Sequence, residues 1–248
     1  MKKIETIYST ETHSWNMITR DPKKLNYIID TNEYLIINSS GNALLLDPGG
    51  SEIFPDVFST ISSDFSPDSI THIFSSHQDP DIISSISLWM EVNPNIKCYT
   101  SWLWTSFLPH FGGTDQTYIP IPDKGMKLMF GNLNLEIIPA HYLHSSGNFH
   151  LYDPIGKIYF SGDVGAALLP EELSQNFVIN NFDEHIRYAE KFHKRWMGSE
   201  KAKIDWCERV SKLEIDMLCP QHGSIYKGDD IKKFIDWFYK LEIGVLDI

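Results

Sequence analysis

The sequence predicts an α+β fold in which two mixed β-sheets stack back to back with helices outside, an αββα sandwich. Strand-like segments dominate the first fifty residues and again residues 127–161, and a helical region follows each of them. A sheet must bury one face, and two sheets in this order can bury theirs against each other. No linker rich in glycine, proline and serine divides the 248 residues, so we expect a single domain over residues 1–248.

The first half begins with β-prone runs at residues 26–30 and 34–38 and a further apolar run at 43–47. The turn residues Ser39-Ser40-Gly41-Asn42 predict a hairpin between the last two runs, which Pro48-Gly49-Gly50 ends. Further on we expect a short helix at 52–63, a buried strand at 71–75, a helix reaching Glu91, a strand at 96–100 and a helix over the aromatic-rich residues 101–111.

The second half returns to strands and then to helices. Gly131-Asn132 predicts a hairpin between residues 128–130 and 133–138, and Asp153-Pro154-Ile155-Gly156 predicts another between 149–152 and 157–160. Helices are expected at 183–197 and 200–213, the second with Ser199 as its N-cap, and an amphipathic helix at 230–241. A short strand is expected at 216–219.

Composition excludes several classes of function. The net charge of −12 leaves no basic footprint for nucleic acid. No apolar run is long enough for a transmembrane helix, and the N-terminus lacks the apolar core of a secretory signal. Three cysteines, an odd number without a CxxC pair, favour a reducing compartment. We therefore expect a cytoplasmic protein that binds neither nucleic acid nor membrane.

Potential metal ligands follow strand-like segments in four places. These are His77-Gln78-Asp79-Pro80-Asp81, His141-Tyr142-Leu143-His144, Ser161-Gly162-Asp163 and Gln221-His222-Gly223. Imidazole together with carboxylate suits zinc, iron or manganese, and carboxylate-rich sites favour the harder or redox-active ions. An Asp between two cations can bridge them at about 3.5–4 Å, as two-metal sites require.

The order of these four blocks resembles the metallo-β-lactamase superfamily, and Asp47-Pro48-Gly49-Gly50 is similar to its Asp-Thr-Gly turn. Hydrolytic members usually carry HxHxDH, whereas Asp79 here replaces the second histidine. That carboxylate resembles the di-iron branch: flavodiiron proteins and, more closely, the stand-alone oxygen-binding di-iron proteins. Residues 192–199 and 216–223 are also similar to that branch. The resemblance implies a metallo-β-lactamase fold, and we expect no flavodoxin domain in this chain.

The resemblance also implies the ligand set. His77, Asp79 and His144 would bind a first iron, Asp81 and His222 a second, and Asp163 would bridge the two. The chain departs from the pattern directly after Asp81, where Ile82 stands in place of a histidine. That change removes one expected ligand of the second iron. It also puts an apolar side chain where a small gas could bind, so Ile82 is a candidate gas-binding residue.

The resemblance favours a non-haem di-iron protein that binds O2 as a sensor or carrier, and it implies a role in a bacterial oxygen response such as chemotaxis. Two alternatives stay open. One is an O2 or NO reductase served by a separate electron-donor protein, and the other is a zinc hydrolase, with zinc in place of the two irons. The resemblance implies a signalling or electron-donor partner, and a homodimer, since flavodiiron relatives face a donor domain towards the partner's di-iron site.

The remaining histidines are interpreted as packed or surface residues: His13, His72, His110, His150, His185 and His193. His141 and His144 compete for one ligand position, and the Leu-His pair in the related pattern favours His144. Trp102, Trp104, Phe107 and Phe111 are more consistent with a core than with a lining of the metal site. The three cysteines are expected to be buried or inert.

Overall fold

The computed structural model describes residues 2–21, 29–113 and 117–246. Most of the strand predicted at residues 26–30 lies outside the described residues. No helix in the described part of the chain is both long enough and apolar enough to span a bilayer.

The first sheet follows the order of the chain. Its strands, in spatial order, are β1 (Ile4–Ser9), β2 (His13–Ile18), β3 (Glu33–Asn38), β4 (Ala43–Leu46), β5 (Ile70–Phe74), β6 (Lys97–Ser101) and β7 (Tyr118–Ile121). Strands β1 to β4 pair antiparallel and β4 to β7 pair parallel, so the sheet is mixed. The hairpin predicted across residues 39–42 is confirmed as β3–β4. The first two strands fall in the region predicted as β, but the sequence did not separate them, and β7 was not predicted.

The second sheet has the spatial order β13-β12-β11-β10-β9-β8. Its strands are β8 (Met126–Phe130), β9 (Leu133–Pro139), β10 (Phe149–Asp153), β11 (Ile158–Gly162), β12 (Met217–Pro220) and β13 (Tyr226–Lys227). Both predicted hairpins, β8–β9 and β10–β11, are confirmed. Strands β11 and β12 pair parallel, so their carboxyl ends lie at the same edge of the sheet.

Six α-helices complete the described chain: α1 (Phe54–Asp64), α2 (Pro80–Ile83), α3 (Ile86–Val92), α4 (Phe182–Trp196), α5 (Glu200–Val210) and α6 (Asp229–Lys240). Ser199 caps α5 as predicted, because its side chain accepts a hydrogen bond from the Ala202 N–H at 3.2 Å.

Two helix predictions need correction. The helix expected to reach Glu91 is divided into α2 and α3, with Ser85 between them donating from Oγ to the carbonyl of Gly49 at 2.7 Å. The helix expected over 101–111 forms turns and a short 3₁₀ helix, Leu108–Phe111. Pro109 has no N–H to donate, which disfavours a continuous α-helix there.

Alternating side chains build three apolar layers. Along β4, Leu44 and Leu46 join the core between the sheets, while Leu45 joins the cluster beneath α1 and α3. Along β12, Cys219 faces the central core and Leu218 the cluster beneath α5 and α6. Because successive strand residues point to opposite faces, both sheets are covered on both sides. The predicted αββα sandwich is confirmed.

A buried polar cluster links the two sheets at a position away from the predicted ligands. His13 Nε2 lies 2.6 Å from Asp153 Oδ2, and Trp15 Nε1 donates to the same oxygen at 2.9 Å. His13 and Trp15 belong to β2, whereas Asp153 ends β10. All three are buried, so the carboxylate depends on these partners for its stability inside the protein.

Candidate metal centre

The predicted ligands meet where strands of the two sheets end. His77 follows β5, and Asp79 and Asp81 flank the first residue of α2. Asp163 comes directly after β11 and His222 follows the neighbouring parallel strand β12. Residues beyond the carboxyl ends of parallel strands converge at one edge on a rigid backbone, the usual position of ligand sites in such sheets.

Four side chains form a compact donor group: His77, Asp79, His144 and Asp163. One ligand atom from each lies within 4.8 Å of the others. His144 Nε2 is 2.6 Å from Asp79 Oδ2 and 3.6 Å from Asp163 Oδ2, and His77 Nε2 is 3.5 Å from the same Asp163 oxygen. Two imidazoles and two carboxylates at this spacing can surround one metal ion.

The other oxygen of Asp163 faces a second group. His222 Nε2 lies 3.3 Å from Asp163 Oδ1 and 3.4 Å from Asp81 Oδ2. Asp163 is 4% exposed and stands between the two groups, with Oδ2 towards one and Oδ1 towards the other. The structure thus brings all six predicted ligands together and gives the shared carboxylate a bridging position.

Buried atoms without partners indicate that these groups fit metal ions. His77 Nε2 and Asp163 Oδ1 are both buried and form no hydrogen bond with any described residue. A buried polar atom left unpaired is costly, so a ligand at this position would supply the missing interaction.

The histidine rings are held so that Nε2 faces the centre. Ser76 Oγ donates to Asp47 Oδ2 at 2.6 Å and therefore accepts from His77 Nδ1 at 2.9 Å. His222 Nδ1 donates to a backbone carbonyl, that of Asp30, at 2.6 Å. A proton fixed on Nδ1 leaves the lone pair on Nε2, the form that binds a metal.

The electrostatics of the centre favour cations. Burial alone would lower the pKa of His77, but the nearby carboxylates of Asp163 and Asp79 outweigh burial and raise that pKa to about 10. Burial would likewise lower the pKa of His222, yet Asp163 and Asp81 raise it well above its ordinary value. Burial would raise the pKa of Asp163, and its histidine neighbours instead hold it well below the usual range. The centre therefore retains negative carboxylates that attract positive charge.

A cavity of about 430 Å³ opens over the centre. Asp79, Asp81, His144, Asp163 and His222 contribute to its wall, together with Ile29, Glu52, Pro80, Leu168, Phe192 and Trp196. The Trp196 ring lies 5.1 Å from the His144 ring, and Phe192 stacks on Trp196 at 5.9 Å. The aromatic lining in the described chain therefore comes from α4. The sequence signal for it was the similarity of residues 192–199 to the di-iron branch.

Of His141 and His144, which compete for one ligand position in the sequence, His144 lies in the donor group. His144 has φ +77° and turns its ring into the donor group. His141 instead places Nε2 2.7 Å from the carbonyl of Asp123, outside that group. A positive φ on a histidine is an uncommon, strained backbone conformation of the kind found at functional sites.

Ile82 lies in a different environment from the one expected. It is fully buried in the apolar cluster beneath the first sheet, with Ile83, Ile86 and Leu35. The described residues that line the cavity do not include it. The expectation that Ile82 offers its side chain to a gas beside the metal therefore needs correction, because the first turn of α2 directs Asp81 to the cavity and Ile82 to the core.

His193, interpreted from sequence as a packed residue, supports the loop that carries Asp163. Its Nδ1 donates to the Ala189 carbonyl at 2.8 Å, and its Nε2 accepts from the Gly165 N–H at 3.0 Å. Burial lowers its pKa to about 4, so the ring is neutral and can accept this bond. Spacing along the sequence could not reveal this role, since residues 165 and 193 meet only in the folded chain.

Solved structures of a known protein are similar to this chain over nearly its whole length. Solved structures of the chemotaxis sensor ODP, one described as a peroxy di-iron species and one as the apo state from T. denticola, are each 37% identical to this chain. Each match covers 98% of this chain and 96% of the sensor, with a TM-score of 0.87.

More distant proteins share the fold. A mutant of a flavo-di-iron protein from Thermotoga maritima is 22% identical with a TM-score of 0.79, and the match covers 96% of this chain and 61% of that protein. An uncharacterised protein of Methanocaldococcus jannaschii is 25% identical over 210 residues, which are 83% of this chain. The match covers 52% of that protein, so this chain spans about half the length of the curated relative that it matches.

A family model described as ODP family beta lactamase matches residues 29–223. The matched range contains all six side chains of the centre and most of both sheets. This chain therefore belongs to the ODP beta-lactamase family.

Proposed function

We propose that this protein is a non-haem di-iron protein that binds O2 and acts as an oxygen sensor. The observation that carries the proposal is the position of Asp163, whose two carboxylate oxygens face two separate groups of donors. Support also comes from the 37% identity to the chemotaxis sensor ODP, for which a peroxy di-iron species is described. In this proposal His77, Asp79 and His144 hold one iron, Asp81 and His222 hold the other, and Asp163 bridges them.

The donor set favours iron over zinc. Carboxylates supply three of the six side chains, and carboxylate-rich sites favour harder or redox-active ions over zinc. A pair of ferrous ions supplies the electrons needed to bind O2, which zinc cannot do. Carboxylates balance the charge of the cations, and the neutral imidazoles supply nitrogen donors without adding charge.

The cavity wall limits access to the centre. Trp196 and Phe192 stack beside His144, and Leu168 adds a further apolar side chain. These apolar side chains favour a small neutral gas on their side of the cavity. This lining supports gas binding better than it supports hydrolysis of a large polar substrate.

The proposal extends to where the protein is located and which partners it has. We infer a cytoplasmic protein, supported by three cysteines that are all buried free thiols. The partner of a sensor would be a signalling protein, and reduction of the centre would require an electron-donor protein. A homodimer is part of the proposal and is tested by sedimentation.

Metal analysis and O2 binding test the proposal together. Protein purified from its native host should contain about two irons per chain, and protein reduced anaerobically should change colour when O2 is added. Removal of O2 should restore the original spectrum. Zinc in place of iron together with esterase activity would refute the proposal, and sustained O2 or NO consumption with a donor protein would assign the reductase function instead.

Neighbouring histidines provide a matched pair of variants. His144→Ala should lose iron from the first site, because it removes one of the three imidazoles of the centre. His141→Ala removes an identical side chain three residues away, outside the donor group, and should keep the iron content of the wild type. Equal iron contents in the two variants would contradict the proposed ligand set.

A further inference from the structure

The second metal site depends on both sheets being held together at their shared edge. Asp81 is carried by the first sheet through α2, whereas His222 lies in the loop 220–223, which begins at the last residue of β12 in the second sheet. Residues 30–32, which directly precede β3, cross to that loop. We call these three residues the Asn32 clamp.

Asn32 forms three hydrogen bonds to the loop. Its Nδ2 donates to the carbonyl of Pro220 at 3.0 Å and to that of Gly223 at 2.8 Å. Its backbone N–H donates to the carbonyl of Gln221 at 2.6 Å. Asn32 is 0% exposed, so water does not compete for these bonds. One side chain and one N–H therefore satisfy three of the four carbonyls in the loop.

The clamp also sets the direction of the His222 ring. The Asp30 carbonyl accepts from His222 Nδ1 at 2.6 Å, which turns Nε2 towards Asp163 and Asp81. The Asp30 carbonyl can accept this bond only if the loop 220–223 is held at the right distance from the first sheet, that is, at the right height. The bonds from Asn32 fix that height.

The loop needs such support because it forms no regular structure between β12 and β13. Gly223 has φ +83°, and a Cβ at that position would lie 2.9 Å from the Cβ of Ala167. The backbone is therefore closely confined on one side, while Asn32 supplies most of the donors on the other, joined by the Tyr34 hydroxyl, which donates to the Pro220 carbonyl at 3.1 Å. Carbonyls deprived of buried donors would cost free energy or draw the loop towards solvent.

The amide of Asn32 cannot be replaced by a carboxylate. Its Nδ2 meets two carbonyl oxygens, whereas its Oδ1 finds no hydrogen-bond partner in the described part of the chain. A side chain of the same shape with two oxygens would present an acceptor to two acceptors. The position therefore requires a donor group of this size.

We propose that Asn32 is a positioning residue for the second metal site: by holding the loop 220–223 to the first sheet, it places His222 within reach of the ion shared with Asp81 and Asp163. This inference rests on the proposed di-iron function. In this inference a buried amide that does not touch a metal ion controls how fully the second site is occupied and leaves the first site unaffected.

A matched pair of asparagines separates this role from general stability. Asn32 precedes β3, and Asn38 ends the same strand, is 4% exposed and accepts bonds from the N–H groups of Ser40 and Asn42 at 3.0 and 3.2 Å. Asn32→Ala and Asn38→Ala both remove a buried amide that forms two hydrogen bonds. Only the first bears on His222.

Titration with Co²⁺ alone, followed by absorption spectroscopy and elemental analysis, measures the two sites without redox chemistry. We expect wild type and Asn38→Ala to bind two ions per chain. In Asn32→Ala the first ion should bind as in wild type, and the affinity for the second should fall about 10–100-fold, as for other residues that orient metal ligands. Asn32→Asp, which keeps the side-chain shape, gives the same test if the alanine variant does not fold.

The outcomes distinguish the two proposals. If wild-type protein binds fewer than two ions, the di-iron function itself fails. If wild type binds two and both Asn32 variants bind the second with unchanged affinity, only the role of Asn32 is overturned. Equal weakening of both sites, or an equal effect in Asn38→Ala, would also overturn it.

Discussion

Two buried aspartates on either side of β11 offer a controlled test of the bridging carboxylate. Asp163 and Asp153 are 4% and 1% exposed, and each lies against histidine side chains. Asp163 faces the metal centre, whereas Asp153 pairs with His13 between the sheets. Asp163→Asn and Asp153→Asn therefore make the same chemical change in similar burial, with only one of them at the proposed site.

Metal-free protein should lose stability in both variants. Removal of one charge from a buried pair costs about 3–5 kcal/mol, and Asn keeps one acceptor, so we expect about 3 kcal/mol. For a chain of this size that corresponds to a fall in Tm of about 6–12 °C. The two variants differ in what metal restores, because each site filled at a hundred times its Kd adds about 2.7 kcal/mol.

Thermal unfolding with and without Fe²⁺ under anaerobic conditions measures this difference. Two filled sites should raise Tm by about 10–20 °C in wild type and in Asp153→Asn. In Asp163→Asn the rise should fall to half of this or less, since a neutral amide cannot give an anionic oxygen to each ion. A full rise in Asp163→Asn, or its loss in Asp153→Asn, would refute the bridging role.

Three further predictions follow from the structure. Burial would raise the pKa of Asp153, but its hydrogen bonds to His13 and other donors hold that pKa below the usual value. The stability from this pair is therefore present above about pH 3.9 and is lost as pH falls through the pKa of Asp153 in the folded protein. The urea midpoint of wild type should accordingly fall more steeply from pH 6 to pH 3 than that of Asp153→Asn. His193→Phe leaves the buried N–H of Gly165 unpaired and should cost about 1–3 kcal/mol in urea unfolding, with partial recovery in His193→Gln; a cost near zero would show that this bond is unimportant. Ile82→His buries a polar ring among apolar side chains and should lower stability by about 1–3 kcal/mol in urea unfolding; a urea midpoint equal to that of wild type would contradict the buried position of Ile82.

The strands of the fold were predictable where local signals were strong. The β3–β4, β8–β9 and β10–β11 hairpins each carry turn residues between apolar runs, and the structure confirms all three. Strand β13 has two residues and leaves no pattern that a sequence can reveal. The break between α2 and α3 depends on Ser85 reaching the carbonyl of Gly49, a contact between distant parts of the chain.

The positions of the candidate ligands were predictable for a related reason. Each ligand lies in a loop that follows a strand, and these strand ends lie at one edge of the two sheets. His77 and Asp79 are close in sequence, so their proximity needed no tertiary information. The choice of His144 over His141 agrees with the related pattern, but the structural reason is the turn at φ +77°, which spacing does not encode.

The sequence by itself determined the sandwich and the types of donor in the centre, because turn residues, alternation and donor chemistry are local properties. Only the tertiary structure decided which oxygen of Asp163 faces which histidine, that Ile82 belongs to the core, and that Asn32 and His193 support loops far along the chain. These features arise from contacts between the sheets or between a helix and a loop. Their geometry exists only when the two sheets are packed, so no stretch of sequence contains it alone.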